Sequence, residues 1–279
     1  MSARGNLYIV ATPIGNLEDM TARAIRTLGE VDLIAAEDTR HSRRLLDHFA
    51  IKTRVVSYHD HNEAQVSESL IAKMMVGTHV ALISDAGTPL VSDPGYLLVK
   101  MAQESAIKVI PIPGVSAVTT ALSVSGLPCD RFLFEGFLPT GRTARITRLK
   151  EAEQETRTIV YLEAPHRVLV TLKEMANVFG GERTVSVARE LTKVFEEIRK
   201  ATLAELIEQV QDGELTQKGE FVILVQGVKQ ISSLYETEKL LELLLAELAP
   251  KKAVHIANQL TGAKKKDLYP LTVKIRGKD

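Results

Sequence analysis

The chain has 279 residues, of which 45% are hydrophobic and 25% are charged, and its formal net charge is zero. These values are typical of a globular protein with enough residues for two cores, and overall charge gives no indication of nucleic-acid binding. No apolar stretch approaches the length of a membrane span, no cleavable signal pattern is found, and the single cysteine, Cys129, cannot form an internal disulfide. We therefore expect a cytoplasmic protein that does not associate with membranes.

The first part of the chain alternates short apolar segments, rich in β-branched residues, with amphipathic helical patterns. The predicted strands are residues 6–12, 31–37, 53–58, 79–85 and 107–113. Continuous apolar strands separated by amphipathic helices favour a parallel sheet that is covered on both faces. We predict an N-terminal α/β domain over residues 1–125.

The second part has a different order of elements. The predicted strands are residues 131–139, 157–164, 183–190, 193–201 and 220–227. Helical patterns separate only some of them, and consecutive strands with short connections indicate a mixed sheet with antiparallel pairs. We predict a second α/β domain over residues 126–230.

The end of the chain is predicted to be a small helical module over residues 231–279, entered through a polar linker at 228–238. From Lys251 onward there are eight basic and two acidic residues, a local net charge of +6. Such basic segments are the usual signature of phosphate binding, although a solvated helix face gives the same pattern. Pro270 is predicted to end the last helix, because proline removes a helical hydrogen bond.

Small and polar residues follow each of the five strands of the first sheet. In an open parallel sheet, ligands bind beyond the carboxyl ends of the strands, so these loops predict a small-molecule site. The loop "DAGTPLVSDPG" (85–95) is the longest, with glycines for unusual φ values and prolines that pre-set turns. The chain contains no P-loop, no Gly-x-Gly-x-x-Gly dinucleotide fingerprint and no Gly-x-Ser-x-Gly elbow.

Polar side chains that could bind a ligand follow two of these strands. In "AAEDTRHS", Glu37, Asp38 and Arg40 could position a hydroxyl or accept a proton, or Asp38 could instead cap a helix beside a salt-bridged Glu37. Ser116 in "PGVSAVTTA" could bind a carboxylate or phosphate at a helix start, or act as an ordinary cap.

Two further polar segments, "HDHNE" (59–63) and "VARELTKVFEE" (187–197), leave their roles open. A metal site at His59 and His61 has too few ligands, so we predict no metal and favour substrate contact or helix capping by Asn62. Arg189, at the end of a second-domain strand, belongs either to a functional site or to a surface ion-pair cluster.

Taken in order along the chain, these segments resemble the tetrapyrrole methylase superfamily. Within it they are most similar to the bacterial family that methylates the ribose of small-subunit ribosomal RNA. The resemblance is carried by "LYIVATPIGNLEDMT", "IAAEDTRHSRRLL", "SYHDHNE", "ALISDAGTPLVSDPG", "PIPGVSAVTTAL", "FEGFLP" and "VARELTKVFEE", and by the tail "AVHIANQLTGAKKKDLY".

The resemblance implies two α/β domains with S-adenosylmethionine in the cleft between them, usually in a homodimer. It implies 2′-O-methylation of cytidine 1402 (RNA numbering) in the 16S ribosomal RNA of the small ribosomal subunit. The cofactor residues that it implies are Pro13, Asp85, Ala86, Gly87, Thr88, Leu90, Val91, Ser116, Ala117, Leu162 and Ala188.

A ribose hydroxyl is a weak nucleophile, so a proton acceptor or a stabilising cation should assist methyl transfer. The hypothetical proton acceptors are Glu37 and Asp38, with Glu63 and Glu190 as second choices, and the hypothetical cations are Arg40, Arg189 and Lys193. The hypothetical RNA-binding residues are Arg43, Arg44, Arg142, Arg145, Arg148, Lys264, Lys265 and Lys266.

Two alternative functions remain open at this stage. One is a methyltransferase of the same fold that acts on a tetrapyrrole or on a protein. The other is a non-catalytic RNA-binding assembly factor with an empty cofactor pocket.

Overall fold

The structure, a computed structural model, describes residues 4–228 and 234–276. Within these ranges the chain forms two compact units, one made of residues 4–153 and 157–226 and the other of residues 154–156, 227–228 and 234–276. The first predicted α/β domain and most of the second lie in the first unit, whereas residues 154–156 and 227–228 of the second belong to the other unit. The boundaries at residues 125 and 230 stay predictions.

The first sheet is parallel, as the alternating pattern predicts. Its strands are β1 (Leu7–Val10), β2 (Leu33–Ala36), β3 (Val55–Ser57), β4 (Val80–Ile83) and β5 (Val109–Ile112), in the order β3-β2-β4-β1-β5. Its helices are α1 (Ala22–Glu30), α2 (Thr39–His48), α3 (Glu63–Met75), α4 (Tyr96–Glu104) and α5 (Ala117–Val124). A short 3₁₀ segment, Leu17–Asp19, follows β1.

Helices on both faces explain why the central strands are continuously apolar. All four residues of β4 are buried. Ala81 and Ile83 pack in the core on one face, and Val80 and Leu82 pack in the core on the other. Successive side chains of a strand point to opposite faces, so only a run of apolar residues can fill both cores.

The second sheet is mixed, as predicted. Its strands are β6 (Phe132–Phe137), β7 (Thr158–Glu163), β8 (Thr184–Arg189), β9 (Glu197–Thr202) and β10 (Phe221–Val225), in the order β6-β7-β10-β8-β9. The pair β6 and β7 is parallel, whereas β10 is antiparallel to both β7 and β8, and β8 is antiparallel to β9. Its helices are α6 (Arg142–Glu151), α7 (Val168–Phe179) and α8 (Leu203–Gln211).

The predicted strand over residues 193–201 begins too early in the sequence. Residues 190–196 form a turn, and β9 starts only at Glu197. The turn is held by its own hydrogen bonds, since Thr192 N–H donates to Glu196 Oε2 at 2.7 Å and Arg189 Nη1 donates to the Phe195 carbonyl at 3.3 Å. The segment "KVFEE" has the composition of a strand, but these local bonds use its backbone and side chains in a turn.

The C-terminal module contains three helices, α9 (Leu234–Glu247), α10 (Pro250–Thr261) and α11 (Lys265–Arg276). They enclose a small core of Leu241, Ala253, Val254, Ala257 and Leu268. The predicted linker over 228–238 is partly helical, because α9 begins at Leu234; residues 229–233 lie outside the described residues.

Pro270 lies inside α11, so the prediction that it ends the helix is wrong. Its ring nitrogen cannot donate to the carbonyl of Lys266, which leaves a gap in the helical ladder. Leu268 and Thr272, on either side of the proline, are both buried. Packing on the module core therefore maintains a helix that local propensity alone would interrupt.

We expect Pro270→Ala to stabilise the C-terminal module by up to about 3 kcal/mol, the difference in helix propensity between the two residues. Hydrogen exchange of the α11 amides should slow in the variant. The matched control is Val273→Ala at an exposed position of the same helix, for which exchange should change little. Faster exchange in Pro270→Ala would contradict this account of the helix.

Candidate active site

The loops at the carboxyl edge of the first sheet are joined to one another by hydrogen bonds. Thr12, after β1, and Gly87, after β4, exchange two backbone hydrogen bonds of 2.8 and 3.0 Å. The Thr12 hydroxyl donates to the Ser84 carbonyl at 3.2 Å, and the Thr88 hydroxyl donates to the Val115 carbonyl at 3.0 Å. Three of the five predicted loops therefore form one connected surface.

A cavity of about 380 Å³ lies between this surface and the second sheet, which is within the usual range for small-molecule sites. From the first sheet, the lining residues are Ile14, Ala86, Gly87, Thr88, Val91, Ser92, Asp93, Ser116, Ala117 and Val118. From the second sheet, they are Phe137, Leu162, Glu163, Ala164, Pro165, Ala188, Leu191, Glu220, Phe221 and Val222.

Backbone strain is concentrated in the two loops that border this cavity. Leu90 and Ser92, after β4, have φ values of 73° and 70°, and Glu190 and Thr192, after β8, have φ values of 49° and 65°. Side chains other than glycine rarely adopt this left-handed region. The first loop also requires Gly95, whose φ is 136° and where a Cβ would come within 2.7 Å of Leu82 Cδ2.

Two carboxyl groups near the cavity have pKa values close to neutrality. Burial raises the pKa of Asp93, which lines the cavity, to about 6, although a hydrogen bond from the Ser84 hydroxyl opposes the shift. Burial and then the charge of Asp93 raise the pKa of Glu37, at the end of β2, to about 7; Asp85 and Asp60 add to this shift. A carboxyl group with such a pKa can exchange a proton at physiological pH.

Asp38, the neighbour of Glu37, is the N-cap of α2. Its Oδ1 accepts the N–H groups of Arg40 at 2.7 Å and His41 at 3.2 Å, and these bonds lower its pKa. The backbone N–H of Asp38 donates to Asp85 Oδ1 at 3.1 Å. Asp38 is therefore used as a helix cap, which was one of the two interpretations of the sequence.

Glu63 connects two helices through one of its carboxylate oxygens. Its Oε1 accepts the Tyr58 hydroxyl at 3.0 Å and the N–H groups of Gly95 at 3.3 Å and Leu97 at 3.2 Å. These bonds tie the start of α3 to the start of α4, and the role of Glu63 as a second-choice proton acceptor stays a prediction.

The remaining polar residues of "HDHNE" do not form a metal site. Within residues 4–228 and 234–276, no group of three or more His, Cys, Asp and Glu side chains is placed to hold a metal ion. Asn62 precedes α3, but its side chain does not cap the helix: it accepts from His59 N–H at 2.9 Å and donates to the Ser57 carbonyl at 3.2 Å. The proposed cap is therefore wrong, because Asn62 closes the preceding turn instead.

Charged residues of the loop after β8 form an ion-pair cluster at the edge of the cavity. Lys193 Nζ lies 2.8 Å from Glu190 Oε1 and 3.1 Å from Glu220 Oε2. Burial opposes both charges, yet the hydrogen bond between Lys193 and Glu190 prevails, raising the pKa of Lys193 and lowering that of Glu190. The Lys193 stem lies where a Cβ on Gly15 would be, so this loop contacts the loop after β1.

Residues 6–207 match the family described as Tetrapyrrole (Corrin/Porphyrin) Methylases, and residues 234–276 match the RsmI C-terminal HTH domain. The chain is 50% identical to ribosomal RNA small subunit methyltransferase I of Pseudomonas aeruginosa, with 100% of both chains covered. It is 48% identical to the protein of the same name from Escherichia coli O157:H7, with 99% of this chain and 97% of that protein covered. This chain belongs to the ribosomal RNA small subunit methyltransferase I family, within the tetrapyrrole methylases.

Solved structures of tetrapyrrole methylases have the same fold at low sequence identity. Diphthine synthase aligns with a TM-score of 0.61 at 16% identity, covering 80% of this chain and 90% of that structure. Uroporphyrin-III C-methyl transferase from Thermus thermophilus, complexed with S-adenyl homocysteine, aligns with a TM-score of 0.54 at 20% identity, covering 79% and 97%. The predicted fold class is therefore confirmed.

The cavity contains most of the residues that the family resemblance implies for the cofactor. These are Ala86, Gly87, Thr88, Val91, Ser116, Ala117, Leu162 and Ala188. Pro13, Asp85 and Leu90 do not line it. Pro13 is buried beside the Thr12 bridge, Asp85 accepts the N–H of Asp38, and Leu90 packs against the core beneath the loop.

The basic residues considered for RNA binding occupy different environments. Arg43 and Arg44 on α2, Arg142 on α6, and Lys264, Lys265 and Lys266 in the C-terminal module are exposed. Arg148 is about half-exposed and pairs with Glu135 and Glu151.

Arg145 is not available to RNA, so that prediction is wrong. Its side chain is 8% exposed and forms a bidentate pair with Glu174. It also donates to the carbonyl groups of Pro139 and Thr140. The Arg145 side chain extends from α6 to Glu174 on α7, and its guanidinium also binds the loop that follows β6.

The prediction from sequence missed three acidic residues that line the cavity, Asp93, Glu163 and Glu220. Asp93 lies within the quoted "DAGTPLVSDPG" loop, so its position was a usable signal. Glu163 is buried at the end of β7, where it accepts the Thr171 hydroxyl at 2.6 Å and lies 3.2 Å from Arg167 Nε. Neither contact can be read from local sequence.

Glu174→Ala should destabilise the protein by about 3 to 5 kcal/mol, because it leaves the buried Arg145 charge without its partner. Chemical denaturation of the first unit measures this change. Arg142 also approaches Glu174, at 3.6 Å, but its side chain is 79% exposed, so Arg142→Ala should change stability by less than about 0.5 kcal/mol. Equal losses in the two variants would refute the distinction between a buried and an exposed arginine.

Proposed function

We propose that this protein transfers a methyl group from S-adenosylmethionine to the ribose 2′-hydroxyl of cytidine 1402 in 16S ribosomal RNA. The observation that carries the proposal is 50% identity over the full length of a ribosomal RNA small subunit methyltransferase I. The nucleotide and the 2′-oxygen come from the family resemblance. The cavity supplies independent support for the donor.

The chemistry of the cavity fits a cationic, partly aromatic donor. Asp93, Glu163 and Glu220 line the cavity; Glu163 lies 3.2 Å from Arg167 and Glu220 lies 3.1 Å from Lys193, so Asp93 is the carboxyl group left for a cationic ligand. Leu162, from the second sheet, and Val118, at the start of α5, provide apolar surface for a heterocycle. A positively charged ligand would be stabilised by the Asp93 carboxylate, which it would in turn keep ionised.

Bound S-adenosylmethionine supplies an electrophilic methyl group on a sulfonium and departs as a neutral thioether, so no residue needs to protonate a leaving group. The protein must then align the acceptor oxygen and accept its proton. We propose Glu37 as the proton acceptor and Asp93 as a contact of the cofactor. Asp93 lines the cavity, whereas Glu37 lies beyond it and is coupled to Asp93 through its charge.

Arg40, Arg189 and Lys193 differ in their availability to hold an RNA phosphate or a developing negative charge. Arg40 is exposed at the start of α2, where an RNA phosphate can contact its side chain. Arg189 donates to the Lys218 carbonyl at 2.7 Å, and Lys193 is held by two carboxylates. We therefore retain Arg40 as the phosphate contact and assign the other two to the structure of the cavity edge.

In the deciding experiment, the protein and labelled S-adenosylmethionine are incubated with small ribosomal subunits that lack the methyl group on cytidine 1402. Label should enter 16S RNA, and mapping should place it on the ribose of cytidine 1402. Label on a ribosomal protein, or on a tetrapyrrole supplied in a parallel reaction, would establish the first alternative function. Cofactor uptake without any transfer would contradict the enzyme assignment.

Glu37→Gln should lower kcat by about 10² to 10⁴-fold, the usual contribution of a general base, while leaving cofactor affinity nearly unchanged. In the wild type, kcat should rise with pH up to about 7 and then level off, because the base acts when ionised. Turnover assays at saturating cofactor, quenched at fixed times, measure both effects.

Asp93→Asn is the matched variant. It should weaken cofactor binding in calorimetry, and wild-type binding should tighten as pH rises through about 6.

Asp38→Asn completes the comparison, because an asparagine preserves the helix cap. It should retain most of the turnover. If Glu37→Gln also retains it, Glu37 is not the base.

Two further expectations stay predictions. The homodimer implied by the family resemblance can be measured by sedimentation equilibrium, and the cytoplasmic location by fractionation. In the described parts of the chain, no helix has the length and apolar character needed to cross a bilayer.

A further inference from the structure

A concave surface, here called the basic groove, lies between the first turns of α10 and α11. Its volume is about 370 Å³. Its lining residues are Ala249, Lys251, Lys252, Val254, His255, Lys265 and Tyr269. All of them belong to the C-terminal module.

The three lysines of the groove are not paired with any carboxylate whose position is described. Lys251, Lys252 and Lys265 are exposed, and among residues 4–228 and 237–276 none of them has a carboxylate within 4.0 Å. The ion pair of this module, Lys274 with Glu238 at 3.0 Å, involves residues that do not line the groove. The N-terminal turns of α10 and α11 add partial positive charge of the same sign.

Apolar and aromatic surface lies beside these charges. Val254 is buried and forms part of the groove wall. Tyr269 is 45% exposed, and the adjacent Leu268 anchors its helix in the module core. An exposed aromatic ring on a fixed backbone is suited to stacking, and its cost in side-chain ordering is small.

We propose that the basic groove binds a single-stranded segment of RNA, with phosphates at the lysines and one base on the Tyr269 ring. The inference rests on the proposed function, since it assigns the part of the chain that would hold the RNA substrate outside the cavity. Cations beside an aromatic ring are the combination by which proteins bind single strands without strict sequence preference. An acidic peptide would use the cations but would leave the ring without a role.

Basic residues elsewhere on the module provide a matched control. Lys239 and Arg276 are also exposed, but they do not line the groove. Lys251→Gln/Lys265→Gln and Lys239→Gln/Arg276→Gln remove the same net charge from the same module. Glutamine retains a long side chain and a good helix propensity, so both variants should fold.

The experiment measures binding of a fluorescein-labelled single-stranded RNA oligonucleotide to the full-length protein by fluorescence anisotropy, at several salt concentrations. The groove variant, Lys251→Gln/Lys265→Gln, should bind the RNA about tenfold more weakly than the wild type. The slope of log K against log salt is negative, and its magnitude should decrease by about 1.4 because two phosphate contacts are lost. The control variant should change affinity by less than about twofold. Tyr269→Leu should weaken binding about tenfold without changing the salt slope, because stacking releases no counterions.

Two results would overturn the proposal that the basic groove binds single-stranded RNA. Equal weakening in the groove and control variants would mean that net charge alone attracts RNA. Competition by polyglutamate that is as strong as competition by unlabelled RNA, together with wild-type RNA binding in Tyr269→Leu, would identify an acidic protein as the partner.

Failure of this inference can be separated from failure of the proposed function. Cofactor calorimetry and methyl transfer to small subunits are measured on the same variants. If the wild type transfers methyl groups and the groove variant has unchanged KM for the subunits and unchanged RNA affinity, the groove is refuted and the enzyme assignment stands. If the wild type transfers nothing but the groove variant loses RNA binding, the proposed function fails alone.

Discussion

The paired backbone hydrogen bonds between Thr12 and Gly87 hold together the loops that follow β1 and β4, two neighbouring strands of the parallel sheet. Parallel strands place their following loops at one edge, so the sheet brings together segments that are far apart in sequence. The Thr88 bond to Val115 adds the loop after β5 to the same surface. The first-sheet side of the cavity depends on this backbone pairing, because most of its lining residues lie on the joined loops.

The electrostatics of the site follow from what the fold buries. Acidic residues end β2 and follow β4, and partial burial together with their mutual repulsion keeps the pKa values of Glu37 and Asp93 near neutrality. The carboxylates at the second sheet behave differently, since Glu190 is compensated by Lys193 and Glu163 lies beside Arg167. The uncompensated charge is therefore located at the carboxyl edge of the first sheet, where a cation or a transferable proton is most strongly stabilised.

Local patterns predicted much of this architecture. The predicted strands over residues 79–85 and 107–113 contain β4 and β5, and the alternation of apolar strands with helices correctly indicated a parallel sheet. The convergence of polar loops followed from the same topology, so the location of the site could be inferred before its geometry.

Two of the failures, at Arg145 and Pro270, share a physical cause, which is that the deciding partner is distant in sequence. Arg145 looks like a surface cation until Glu174, on the next helix, is placed beside it. Pro270 looks like a helix end until the core of the module is seen to hold both sides of it. The late start of β9 belongs to a turn whose side-chain bonds compete with strand pairing.

Four of the non-glycine residues with positive φ lie in the loops after β4 and β8, and their position has a consequence for ligand recognition. Each such residue is disfavoured by about 1 to 3 kcal/mol, and surrounding contacts offset that penalty in the folded chain. The walls of the cavity are thus preorganised: their conformational entropy is lost during folding rather than during association. A ligand that matches this shape meets a rigid receptor, and selectivity arises from rejecting molecules that would require the loops to relax.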